Sequence, residues 1–361
     1  MTRPIIGRVE PEQRRTSGAP GPTQAGREAG TVREPGTARI AVDLLGGDQA
    51  PAVVVDGALR ACQADPALQL LLVGPVEAAD AVLAALGPED RARVCAVAAP
   101  TGPHGRDRDV SSVESGVRSA VLAVAQGLAD AVVSAGNTGA TVTSAALGLG
   151  RWPGVRRPAL TAVLPTAAGR LVLLDVGSSV DPDETTLAMH ARLGAAYASV
   201  VHGVAAPRVG LLTIGTERGK GDRLRRAAPA VLAALDLPAG GSYAGLVEGN
   251  DVVTGAPADV VVADGFTGNV LLKGLETAYA LRGAPNPGPV PPRAAVLLGV
   301  GGTVVVCHGA ASGADIAAGI GFAATLHRRA AVPAIADLIT GPEDPATDRK
   351  TPDPQNARGG S

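Results

Sequence analysis

Short apolar runs that end in glycine, asparagine or threonine and pass straight into helical periods recur along this chain. That rhythm restricts the fold more than any other feature. Candidate strands lie at Arg39–Leu45, Leu68–Val73, Val94–Ala98, Ala131–Ser134, Leu160–Leu164, Leu171–Asp175, Arg208–Thr213, Val260–Ala263 and Thr303–Cys307. Helical periods follow most of them, at Ala52–Gln63, Val76–Leu86, Ser112–Gln126, Gly139–Gly148, Pro182–His202, Asp222–Leu235, Asn269–Leu281 and Ser312–Ala330. Apolar strands separated by helices pair in parallel, with helices covering both faces of the sheet. The expected fold is therefore α/β, a three-layer α/β/α arrangement around a largely parallel sheet.

Two of these strand ends carry the clearest chemical signal. Ala131-Val132-Val133-Ser134 runs into Gly136-Asn137-Thr138-Gly139-Ala140, and Val260-Val261-Val262-Ala263 runs into Asp264-Gly265-Phe266-Thr267-Gly268-Asn269. A strand that turns through such residues into a helix presents backbone N–H groups and a helix N-terminus, a ready site for phosphate. Asn269 and Lys273 are one turn apart on the second helix, so they share a face and can converge on one ligand. A third turn, Asp43-Leu44-Leu45-Gly46-Gly47-Asp48, reads as a glycine loop, with Asp43 and Asp48 orienting a substrate or Asp48 capping the helix near Pro51. Gly215 to Asp222 superficially looks like a P-loop, but its spacing and the lack of Ser or Thr after Lys220 reject it; a loop delivering Lys220 to an anion stays open. His308, at the carboxyl end of the last strand, is the one histidine with a functional context.

Composition narrows the classes. The 361-residue chain has a net charge of -2, which gives no bulk attraction to nucleic acid or anionic membrane. Aromatics are only 2%, so base-stacking platforms are excluded. Cys62, Cys95 and Cys307 show no metal or CxxC spacing, which fits a reduced, cytoplasmic setting. No apolar run reaches the length of a spanning helix. Of 32 Lys and Arg residues only Lys220, Lys273 and Lys350 are lysine, and the first two sit beside glycine-rich motifs. Residues 1–38 and 341–361 are rich in Pro, Gly and charge and read as disordered. The span 39–340 reads as the folded domain, interrupted at 283–292 by a Pro-rich connector that no helix could cross.

Taken in order, these strings resemble the bacterial phosphate acyltransferase (PlsX) family. The matching positions are Ala41-Val42-Asp43 with Gly46-Gly47-Asp48 and Ala50-Pro51, Ala129 through Ala140, Gly150-Arg151, Arg157 through Leu160, and Leu174 through Gly177. Pro207 through Leu212, Ile214-Gly215, Lys220-Gly221, Glu248-Gly249, Asp251, Asp264 through Asn269, Leu272-Lys273 and His308-Gly309 complete the set. The resemblance implies a fold like the isocitrate and isopropylmalate dehydrogenases, shared with phosphotransacetylases, in a homodimer. It implies transfer of an acyl group from acyl carrier protein to inorganic phosphate in phospholipid synthesis, with no cofactor, metal or covalent intermediate. In that chemistry, backbone N–H groups, Asn137, Thr138, Asn269, Lys220 and Lys273 hold phosphate and stabilise the oxyanion. His308 protonates the departing thiolate or donates to the oxyanion. The chain departs from the family pattern at Gln49, in the thinned basic stretch before Ser112, at Ser178 and Ser179, at Leu246, and at Ala310 and Ala311. The 283–292 connector replaces a helical excursion that in the family contributes dimer and membrane contacts, which makes membrane docking doubtful. Two alternatives stay open: a relative in specialised metabolism with a changed donor or acceptor, and a non-catalytic acyl- or carrier-binding protein.

Overall fold

A computed structural model describes residues 36–99, 110–217, 219–283, 285 and 293–341, with backbone alone at 110–115. Residues 1–35 and 342–361 of the termini read as disordered, with most of the connector and of the thinned basic stretch, therefore lie outside the described residues. Ala38, placed in the disordered terminus from sequence, is instead the buried first residue of the first strand. The strands are β1 Ala38–Asp43, β2 Leu68–Gly74, β3 Val94–Ala98, β4 Ala131–Ser134, β5 Ala159–Thr166 and β6 Gly169–Leu174. They continue with β7 Arg208–Leu212, β8 Ser242–Val247, β9 Val260–Val262, β10 Ala294–Leu298 and β11 Thr303–Cys307. The helices are α1 Ala52–Ala64, α2 Val76–Ala85, α3 Pro88–Arg91, α4 Val110–Ala125, α5 Thr138–Gly148 and α6 Glu184–His202. After them come α7 Arg223–Ala233, α8 Gly249–Thr254, α9 Gly265–Arg282, α10 Gly313–Arg328 and α11 Ala331–Thr340.

All eleven strands join one sheet in the order β3-β2-β1-β4-β11-β10-β5-β6-β9-β7-β8. Pairing is parallel from β3 to β11 and again from β6 to β8. Between these blocks β10 runs antiparallel to both β11 and β5, and β5 antiparallel to β6. The two parallel blocks consequently run in opposite senses. The sheet is largely parallel, as expected from sequence, with the antiparallel insertion as the added feature.

The reversal has a tertiary cause. The hairpin between β5 and β6 turns at Ala167 and Ala168, which are not turn formers. Their N–H groups donate to the carbonyls of Val253 and Thr254 at the end of α8, at 3.1 and 3.0 Å. β10 and β8 escaped the sequence reading for different reasons. β10 directly follows the proline run, while β8 is an edge strand with only its last residue buried. α11 has no counterpart among the helices expected from sequence; its Pro333 sits in the first turn, where a proline removes no helical hydrogen bond.

Two apolar layers sandwich the sheet. One face packs Ile40, Leu72, Val133, Leu174 and Val260 against α1, α6, α10 and α11. The other packs Val132, Leu160, Leu173, Val261 and Val304 against α4, α5, α8 and α9. On this second face α5 touches β11 and α9 touches β6. Strands β10 and β5, which lie between β11 and β6, form the floor of the gap between these two helices.

Candidate active site

That gap is a cleft of about 650 Å³, part of it open to solvent. Leu160 and Ala162 of β5, Ala295 of β10, Val306 of β11, and Val176 and Leu272 supply apolar walls. Polar groups enter from three directions: Gly136 and Thr138 before and within α5, Asn269, Lys273 and Glu276 along α9, and His308 after β11 with Arg293 before β10. Of the residues singled out from sequence, the cleft brings together Gly136, Thr138, Asn269, Lys273 and His308.

The turn into α5 is built as a helix N-terminus open to a ligand. Asn137 caps it, its Oδ1 accepting the Ala140 N–H at 3.0 Å. Among the described residues nothing accepts the N–H groups of Thr138 or Gly139. The turn rests on Asp43, a buried carboxylate that accepts the Ser134 hydroxyl at 2.7 Å, while Ser134 Oγ accepts the Gly136 N–H at 3.0 Å. Burial lifts the Asp43 carboxyl to about 6, against the hydrogen bonds from Ser134 and the Leu45 backbone. Gly46 must be glycine because a Cβ there would stand 2.6 Å from the Gly136 nitrogen. Thus Asp43, Gly46 and Gly47 support the turn from behind and do not line the cleft. Asp48 does not cap α1, whose N-cap is Pro51. Its own N–H donates to the Gly309 carbonyl at 2.8 Å, tying the glycine loop to the residue after His308.

The second turn is closed rather than open. Helix α9 begins at Gly265, a turn earlier than its sequence suggested, and Asp264 caps it by accepting the Thr267 N–H at 2.8 Å and hydroxyl at 2.7 Å. Asp264 is also paired with the buried Arg225 guanidinium. Burial alone would raise the Asp264 carboxyl, but these hydrogen bonds and the Arg225 charge hold it below its ordinary range. The Gly265 N–H donates to the Ser179 carbonyl at 2.7 Å. A Cβ on Gly268 would collide with the Asp175 carbonyl oxygen. Asp264, Gly265, Thr267 and Gly268 therefore dock α9 onto the loop after β6, and that helix end has little left for an anion.

Asp175 is the hub of that loop. Its Oδ1 accepts the N–H groups of Leu160, Gly177 and Ser178, at 3.0, 3.1 and 3.0 Å, and its Oδ2 accepts the Ser179 N–H at 2.6 Å. Asn269 Nδ2 donates to the Val176 carbonyl at 2.9 Å, which leaves its second amide hydrogen and its Oδ1 for a ligand.

Two cleft residues were not seen in the sequence. Glu276 lies three residues beyond Lys273 on the same helix face, so an i+3 step from Lys273 would have found it. Its Oε2 is 3.5 Å from His308 Nε2, an atom with no other partner among the described residues. Burial raises the Glu276 carboxyl, while His308, Arg293 and Lys273 pull it down. Arg293 carried no local signal; it reaches the cleft because Ala294 pairs with Cys307 across β10 and β11. Cys307 itself lines the cleft, but burial pushes its thiol up to about 12, so it stays protonated and unreactive. Lys220 sits elsewhere, half-exposed on the loop after β7, 3.6 Å from Glu217. No helix among the described residues is long and apolar enough to cross a membrane.

Comparison with known proteins agrees with this architecture. A phosphotransacetylase (EutD) from Staphylococcus aureus superposes with a TM-score of 0.54 at 17% identity, covering 84% of this chain and 96% of that one. A branched-chain phosphotransacylase from Enterococcus faecalis gives 0.56 at 16%, covering 80% and 99%. The fold is that of the phosphotransacylases. Within it, a family model described as fatty acid synthesis protein matches residues 38–282. The phosphate acyltransferase of Thermobifida fusca is 41% identical over 83% of this chain and 89% of its own. That of Gloeobacter violaceus is 39% identical over 80% and 92%. The chain belongs to this fatty acid synthesis (PlsX) family of phosphate acyltransferases.

Proposed function

We propose that this enzyme transfers an acyl group from an acyl carrier protein thioester to inorganic phosphate, releasing acyl-phosphate and the carrier thiol. The observation that carries the reading is the cleft itself, where an open helix N-terminus, Lys273 and His308 converge over an apolar floor. Phosphate sits against the Thr138 and Gly139 N–H groups, with Lys273 and the Asn269 amide completing its cradle. Asn137 acts by holding that turn in place. The thioester carbonyl lies above the phosphate, its acyl chain on Leu160, Ala162 and Ala295.

A phosphate oxygen attacks the carbonyl carbon, and the C–O bond forms as the C–S bond breaks. The sulfur leaves with the bonding electron pair. Protons balance without an outside acid, because monohydrogen phosphate loses one as its oxygen bonds and the thiolate takes one up. His308, paired with Glu276, relays that proton. The enzyme's contribution is to place two reactants in line and to stabilise the charge that develops on the carbonyl oxygen. The protonated Cys307 in the same cleft is in keeping with direct attack rather than an acyl-enzyme.

We place the protein in the cytoplasm, where its free cysteines would stay reduced, and take it to be a homodimer. Exposed Val180 and, in the first turn of α9, Phe266, both 64% accessible, support an apolar contact with a second copy. Light scattering after gel filtration tests the dimer, and a monomer mass would refute it. Phosphorus NMR of the purified protein with phosphate and acyl thioesters tests the reaction. An enzyme-dependent acyl-phosphate resonance with carrier-bound donor is expected. Turnover only with acyl-CoA would transfer the proposal to that donor, and no acyl-phosphate from either would overturn it.

A further inference from the structure

Splitting the two lysines leaves the phosphate cradle one cation short. Lys273 is a single charge, whereas phosphate at neutral pH is mostly a dianion, and Lys220 lies outside the cleft beside Glu217. Arg293 does line the cleft, next to Ala294, whose strand partner Cys307 precedes His308. Among the described residues no carboxylate forms an ion pair with Arg293 within the usual distance, and none with Lys273. The arginines at the head of α7 lie outside the cleft and are committed: Arg225 to Asp264 and Asp222, and Arg223 to Glu184. The one carboxylate shared by the two cleft cations is Glu276, which also faces His308 and Asp315. A single shared carboxylate offsets one of two cations, so the cleft keeps a positive surplus that a bound anion would satisfy.

We propose that Arg293 is the second cation of the phosphate site, closing with Lys273 on the inorganic phosphate nucleophile. The inference rests on the phosphate acyltransfer reading above. A guanidinium presents a planar fork that matches two phosphoryl oxygens at once, which an ammonium cannot do. Lys273 from α9 and Arg293 from the start of β10 approach from different elements, so together they fix the phosphate's orientation as well as its charge. The Thr138 and Gly139 N–H groups face the remaining oxygens. The same fork could grip the phosphodiester of the donor's pantetheine arm. The cleft location beside Lys273 favours free phosphate, and the two sources are separable by experiment.

The test is made on Arg293→Gln and Arg293→Lys in the full chain. Arg293 is an exposed residue outside both apolar layers, so neither change threatens the fold. Calorimetric binding of inorganic phosphate, without any donor, should weaken about tenfold to a hundredfold in Arg293→Gln, the loss expected for a charge-assisted pair. Arg293→Lys should recover only part of it. In turnover, KM for phosphate should rise by a similar factor while KM for the acyl donor stays unchanged. Equal phosphate binding by wild type and Arg293→Gln overturns the proposal even if the enzyme makes acyl-phosphate. A rise confined to the donor's KM overturns it too and assigns Arg293 to the donor. Phosphate binding that depends on Arg293 in a protein that makes no acyl-phosphate would keep this site and remove the acyltransfer reading instead.

Discussion

His308 Nε2 and Glu276 Oε2 stand 3.5 Å apart, an imidazole–carboxylate pair that links the end of β11 to α9. Removing the imidazole with His308→Ala should lower kcat about a hundredfold, the size of a single proton-relay contribution. Glu276→Gln should cost less, about tenfold, because it leaves the relay in place but takes away its counter-charge. The Glu276 carboxyl is raised by burial, so the pair loses its negative member at a higher pH than an ordinary glutamate would. The acidic limb of the kcat profile should therefore lie above the usual carboxylate range in wild type and vanish in Glu276→Gln. An identical limb in both proteins would separate Glu276 from the chemistry.

The two lysines should behave differently. Lys273→Ala, which empties one side of the cradle, should raise KM for phosphate about tenfold or more. Lys220→Ala removes an exposed pair with Glu217 and should change it by less than about fivefold. Phosphate titrations of the two variants decide this, and matching defects would return Lys220 to the site.

Asp43 makes a stability prediction. Its native carboxyl titrates near 6, above the value of an unfolded aspartate. Between about pH 4 and pH 6 the native state thus holds a proton that the unfolded chain has released, and stability falls as pH rises through that window. The contribution is about 3 kcal/mol and is fully lost above pH 6. In urea melts, the stability of Asp43→Asn relative to wild type should improve by about that much from pH 4 to pH 7. A constant difference would mean that Asp43 is charged throughout.

Two glycines of α9 should respond in opposite directions. Gly268→Ala drives a methyl group into the Asp175 carbonyl and must lift α9 off the loop after β6, costing about 1–3 kcal/mol and displacing Asn269 and Lys273 with it. Gly274 faces open space, so Gly274→Ala should stabilise by up to about 1 kcal/mol with turnover unchanged. Thermal melts with activity assays read both effects.

The local grammar of this chain was strong where a single turn carries its own reasons. Ala131 to Ala140 states a buried strand, a glycine-rich turn and a helix start, and the structure has all three, with Asn137, read from sequence as a ligand donor, serving as the cap. The motif at Asp264 to Asn269 looks similar in one dimension and does something else. Arg225, far away in sequence, pairs with Asp264, and Asp175 presses on Gly268. Glycines that read as room for a ligand turn out to be room for another backbone.

What the sequence determined by itself was the alternation of strand and helix, the apolar layers, and the list of turns from which a site could be drawn. Those follow from periodicity and turn chemistry, which act over a few residues. Only the tertiary structure decided which turns face one another. The hairpin at Ala167 and Ala168 is held by α8, and β10 is inserted antiparallel between β11 and β5, so the two parallel blocks run in opposite senses. That reversal leaves a gap between α5 and α9, gathers Glu276, His308 and Arg293 into it, and leaves Lys220 outside. Such contacts join residues far apart in the chain, and their energy comes from burial and pairing that no local stretch contains.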